Sequence, residues 1–214
     1  MKMKLTSIFM LAGLLSSGAV LGQGVEPSFY TGVEAQYNHY QGAKQLTTPQ
    51  NVQLNATNNK TLFGKSGAGL GVFAGSRITE NLGFELGYTG LMGAKFKLDN
   101  PAFKTSSLKT KSHNLYADVL GFIPMSSEVD VIASVGAGRL STKFTGDIQQ
   151  VIAGALSAKQ NLSMKSRKTG LRLGLGAQYK FNENVGMRFM ARHQKGNQFV
   201  KKVSSAGLSL FYQF

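Results

Sequence analysis

The 214-residue sequence has no cysteine, no tryptophan, only 4 prolines and only 3 histidines. Without cysteine there is no disulfide framework, no thiolate metal site and no thiol nucleophile. Beyond its N-terminal segment it also lacks any unbroken apolar run of membrane-spanning length, so a chain of this kind that enters a bilayer must do so as strands. The histidines, His39, His113 and His193, stand in no pattern that pairs an imidazole with a Ser or Asp partner; His193, for instance, is followed by Gln194 and Lys195. Spacings of His, Asp and Glu suited to a metal are missing as well. Neither an enzyme nor a bound cofactor or metal is expected. Acids are scarce too: Asp and Glu number 10 against 24 Lys and Arg, which leaves a formal charge of +14.

What is present begins with an export signal. Lys2 and Lys4 precede the apolar stretch Leu5 to Leu15, and Val20 and Gly22 suit cleavage before Gln23. Residues 1–22 are therefore expected to be a signal peptide and 23–214 the mature domain. A lipid anchor would need a cysteine where Gln23 stands.

The mature chain alternates. At the C-terminus Ala206, Leu208, Leu210, Tyr212 and Phe214 share one face, and Ser205, Gly207, Ser209, Phe211 and Gln213 share the other. A strand with lipid outside and a filled interior explains both the greasy face and its aromatic end. Seven further segments carry the same period: 29–39, 68–77, 82–89, 115–123, 129–137, 170–181 and 185–192. Short turns at Thr79 to Asn81, Pro124 to Ser127 and Asn182 to Asn184 alternate with long polar stretches at 40–65, 93–111 and 144–167, read as exposed loops. Eight strands with alternating short and long connections predict an all-β, eight-stranded antiparallel up-and-down transmembrane β-barrel with short turns in the periplasm. Alternate inward glycines fit a narrow lumen in which bulky residues on some strands face glycine on others.

The phrases S-F-Y-T-G-V-E-A-Q-Y at 28–37, G-L-G-V-F-A-G-S-R-I-T-E-N-L-G-F-E-L-G-Y at 69–88 and G-L-R-L-G-L-G-A-Q-Y at 170–179 resemble the OmpA-type transmembrane domain. The resemblance runs through the mature chain and leaves no counterpart to the periplasmic peptidoglycan-binding domain of OmpA, so that anchoring role is not carried over. It implies a bacterial outer-membrane location and an interior filled by Glu and Arg pairs. The C-terminal strand is similar to those of outer-membrane barrels, which implies that Leu210, Tyr212 and Phe214 form the signal read by the barrel-assembly machinery.

By alternation, Glu34, Arg77, Glu85, Asp118, Arg172, Lys180, Arg188 and Arg192 point into the lumen, where buried charges must pair. They are expected to plug the barrel; the alternative is a charge-gated pore for small solutes. On the long-loop side the cations Lys95, Lys97, Lys104, Lys109, Lys111, Lys165, Arg167 and Lys168 dominate, whereas the short turns carry Glu80, Glu128 and Glu183. Such a rim is suited to the phosphates of lipopolysaccharide, and beyond that to polyanions or a receptor on a host cell, with no nucleic-acid role. In the run D-I-Q-Q-V-I-A-G-A-L at 147–156, Ile148, Val151, Ile152 and Leu156 recur at helical spacing, which predicts a short amphipathic helix in the third loop. The expected protein is a monomeric surface barrel whose loops mediate adhesion or invasion.

Overall fold

The structure is a computed structural model that describes residues 27–42, 45–47, 53–55, 66–91, 95–96, 103–152, 155–156, 160–197 and 200–214. The signal segment and most of 40–65 lie outside the described residues. Twelve strands follow in order: β1 (Ser28–Gly42), β2 (Gln45–Thr47), β3 (Gln53–Asn55), β4 (Ser66–Arg77), β5 (Leu82–Leu91), β6 (Lys95–Phe96), β7 (Phe103–Pro124), β8 (Val129–Ile152), β9 (Ala155–Leu156), β10 (Gln160–Lys180), β11 (Val185–Lys195) and β12 (Val200–Gln213). Eight of them, β1, β4, β5, β7, β8, β10, β11 and β12, close an antiparallel ring. The ring is sealed where β12 pairs with β1, Tyr212 opposite Thr31, and the Phe214 amide donates to the Phe29 carbonyl at 2.8 Å. No polar sheet edge is left to meet lipid.

Three short turns share one construction. The amides of Leu82, Val129 and Val185 donate to the side-chain oxygens of Thr79, Ser126 and Asn182 at 3.0, 3.1 and 2.7 Å. A hydroxyl or amide oxygen three residues upstream thus satisfies the first strand donor and fixes where the strand begins.

The alternation sorts the side chains as expected. Leu70, Val72, Val119, Val135, Leu173, Leu175, Leu208 and Leu210 cover the outside, flanked by the edge-to-face pairs Tyr179–Phe181 and Tyr212–Phe214 with centroids 5.4 and 5.1 Å apart. The core is the lumen, where Tyr30, Phe73, Tyr116, Leu120, Phe122, Ile132, Met190 and Phe211 form one buried cluster. Ring size decides where glycine stands: a Cβ at Gly87 would overlap the Tyr116 ring.

Two expectations are corrected. The polar stretches 93–111 and 144–167 are largely strand, because β7 begins at Phe103, β8 continues to Ile152 and β10 begins at Gln160. Their pairing runs outward to Phe103↔Gln150, with one register shift between Thr105 and Ser107, and without a break to Gln160↔Ile148. The helix expected at 147–156 is likewise absent: residues 147–152 complete β8, and Val151 and Ile152 pair with Leu156 and Ala155 of β9. Strand pairing on both flanks of β8 satisfies backbone groups that a short helix would leave open at its ends. A small hairpin, β2 with β3, also forms within the stretch read as the first loop.

Candidate functional site

The lumen charges assemble around Glu85, which is fully buried on β5. Arg188 of β11 donates to it at 2.5 Å, and the hydroxyls of Tyr30 and Tyr116 donate at 3.2 and 3.1 Å. Arg192, two inward positions further along β11 with Met190 between, pairs with Glu34 of β1 at 2.6 Å and lies 3.9 Å from Glu85. Glu34 finds room because β12 presents Gly207 diagonally across from it, where a Cβ would run into its carboxylate. Arg172 of β10 approaches Asp118 at 3.4 Å without hydrogen-bond geometry, and its guanidinium stacks over the Tyr116 ring at 3.6 Å. Three carboxylates and three guanidiniums thus meet in one neutral cluster, each needing the others because burial alone would disfavour its charge. Arg188 is additionally surrounded by the Tyr30, Phe211 and Phe73 rings at 5.0 to 5.5 Å, whose faces attract the cation.

Arg77 and Lys180 do not join that cluster. They stand at the short-turn end on Asp130 of β8, at 2.9 and 3.7 Å. Asp130 is a member the sequence reading missed, although it falls on the inward face of β8 just past a turn. Gln178 connects the two groups: its amide donates to Asp130 at 2.8 Å and its carbonyl accepts from Arg188 at 3.1 and 3.2 Å. Toward the other end Gln194 links Asn114 and the Gly138 carbonyl, above a cavity of about 20 Å³ that Arg172 and Arg192 line. A void that size accommodates about one water.

Among the cations of the long-connection side, Lys111, Lys165, Arg167 and Lys168 are exposed. Lys104 and Lys109 occupy register positions on the outer part of β7, Lys95 on β6 faces Lys109 in the ladder, and Lys97 lies outside the described residues. Lys143 and Arg139 of β8, exposed as well, belong with them. Leu210 and Tyr212 are exposed on the outer face of β12, and Phe214, just past its end, is exposed as well.

The histidines sit at the outer interface. His113 stacks on Tyr88 with centroids 5.9 Å apart, and His193 Nδ1 lies 3.0 Å from Ser204 Oγ. Among the described residues no acid is hydrogen-bonded to His193, and no cluster of metal-binding side chains occurs.

A family model for the outer membrane protein beta-barrel domain matches residues 7–214. The chain belongs to that family. It is a bacterial outer-membrane barrel, and no curated protein matches its sequence. The fold is similar to that of Ail, the attachment invasion locus protein of Yersinia pestis, solved in complex with the heparin analogue sucrose octasulfate; the two are 14% identical with a TM-score of 0.54, covering 89% of this chain and 100% of Ail. OprG from Pseudomonas aeruginosa is 13% identical with a TM-score of 0.51, covering 90% of this chain and 98% of OprG. These neighbours are outer-membrane barrel proteins.

Proposed function

We propose that the protein is a surface-interaction barrel in which the strands extended beyond the membrane, not the lumen, carry function, and that their target is an anionic polymer on a host cell. The observation that supports this best is the continuation of β7, β8 and β10 past the lipid-facing band as one paired sheet. From His113 to Phe103 alone, β7 adds about 30 Å of strand. Paired strands hold side chains in place more firmly than a loose loop would, so cations on them meet a polyanion with less ordering cost. The complex of the similarly folded Ail with a polysulfated sugar makes sulfated polysaccharide the first target to test. The paired charges and rings across the lumen speak against the solute-channel alternative, since a conducting path would have to break several buried pairs at once.

The test is to replace Lys95, Lys104 and Lys109, cations of the outermost paired stretches, by Gln, and to compare bacteria displaying equal amounts of each barrel. Binding to heparin-coated surfaces and to host cells should fall to the level of cells without the protein. Unchanged binding to both would refute the adhesion reading.

A further inference from the structure

Three lysines on three adjacent strands stand side by side. The register places Lys111 of β7 opposite Lys143 of β8, and Lys143 opposite Lys165 of β10. All three are exposed. The neighbouring positions Ser112 and Thr142 are turned the other way, the Ser112 hydroxyl donating to Thr142 Oγ1 at 3.2 Å, and Ser166 beside Lys165 is buried. The lysine row therefore lies on the outer wall of the sheet. In the two rows next to it toward the barrel come Arg167, level with His113, and Arg139, level with Leu115, and both are exposed.

Like charges directly opposite across strands destabilise a sheet, so three in a row need an anion to offset them. Among the described residues no ion pair supplies one: every ion pair is inside the lumen, and none reaches these five cations. The next acid along β8, Asp147, is about 13 Å further out along the strand.

Depth identifies the source of the anion. The outward face of β7 is apolar from Ile123 through Val119 to Leu115, and Tyr88 with His113 caps it. From Ile123 to His113 the strand climbs about 33 Å, which at barrel tilt is about 25 Å along the membrane normal, the height of the lipid-facing band. Arg139 and Arg167 thus stand at its upper edge and the lysine row about 5 Å above it. That is where lipid headgroups begin, and below the reach of a polymer on another cell. The row spans about 10 Å across its three strands, enough to meet more than one phosphate at once, while the two arginines offer planar forks suited to phosphate oxygens.

We propose that this wall of β7, β8 and β10 is a binding site for a multiply phosphorylated lipid headgroup of the outer leaflet, with Lys111, Lys143 and Lys165 spanning its phosphates and Arg139 and Arg167 gripping it from the membrane side. The site does not rest on the adhesion reading; it assigns these cations to the cell's own lipid and leaves the outer hairpins free for other partners.

The wall formed by β11 and β12 provides a comparison of equal charge but narrower span: Lys195 and Lys202 stand opposite each other there, with Lys201 beside them, all exposed, and only two strands contribute. The full chain, K111Q/K143Q/K165Q and K195Q/K201Q/K202Q would be folded into phosphatidylcholine nanodiscs containing lipid A with two phosphates, lipid A with one, or phosphatidylglycerol. Enrichment of each lipid around the barrel is then measured by native mass spectrometry. Each lysine removed should cost roughly fivefold in affinity, so the first triple variant should lose about a hundredfold for the bisphosphorylated lipid. The two-strand comparison should lose clearly less than the three-strand row, and added inorganic phosphate should not compete. Equal losses in both variants, or equal enrichment of phosphatidylglycerol by the wild type, would overturn the site. Heparin binding by the same proteins separates the two readings. Loss of heparin binding with lipid enrichment intact assigns the row to adhesion and overturns the proposal; the reverse supports it.

Discussion

Replacing Glu85 by Gln tests whether the lumen network holds the barrel together. The substitution keeps the shape and removes one charge, leaving Arg188 buried without its 2.5 Å partner and Arg192 without its second carboxylate. Breaking a buried pair from one side costs about 3–5 kcal/mol, because the remaining charge has been taken from water with nothing to compensate it. The new carbonyl still accepts from one of the two tyrosines or from Arg188, so the lower value applies, about 3 kcal/mol, or roughly a hundredfold in the folding equilibrium. Urea titration of barrels folded in lipid vesicles, read by the different migration of folded and unfolded barrel on unboiled gels, measures it directly. The double variant E85Q/R188Q should recover part of the loss, since neither charge is then stranded. A midpoint for E85Q equal to wild type would refute the claim that these pairs hold the lumen closed.

Two other outcomes follow from packing and from the closing strand. Gly87→Leu should prevent folding or cost about 3 kcal/mol or more, since even its Cβ would overlap the Tyr116 ring; the same urea titration reports it. Phe214→Glu, which puts a charge on the most exposed aromatic of the outer wall, should lower the amount of folded barrel in cells several-fold, whereas Gln213→Glu on the inner face should change it little; membrane fractionation decides between them.

The membrane part of this fold was legible because a two-residue period with lipid on one side and packed rings on the other leaves a strong mark. Glu34, Glu85, Asp118, Arg172, Arg188 and Arg192 could all be placed inward on that basis. What could not be read was the continuation of β7, β8 and β10. Past the lipid both faces of the sheet meet polar surroundings, so Ser, Thr, Lys and Gln follow one another without a period, and such a stretch looks like loop. The expected helix failed for a related reason. Ile148, Val151, Ile152 and Leu156 are spaced for a helical stripe, but Val151 and Leu156 also face each other across a hairpin, and only two residues, Ala153 and Gly154, separate the paired segments in sequence. Glycine in so short a separation is the signal that favoured the hairpin. The lysine row was illegible for a deeper reason: Lys111, Lys143 and Lys165 are far apart in sequence, and register alone brings them level.

The seam between β12 and β1 has a consequence for the order of events in folding. Glu34 rides on β1, and its partner Arg192 is 158 residues away on β11, next to the closing strand. Glu85 and Arg188 are 103 residues apart. An open sheet has one face of charges with nothing opposite, and lipid cannot receive them. Those acids and bases meet only when the ring shuts, so crossing the bilayer and closing the cylinder must proceed together. The network that fills the finished lumen is thereby also the latch that makes closure hard to reverse.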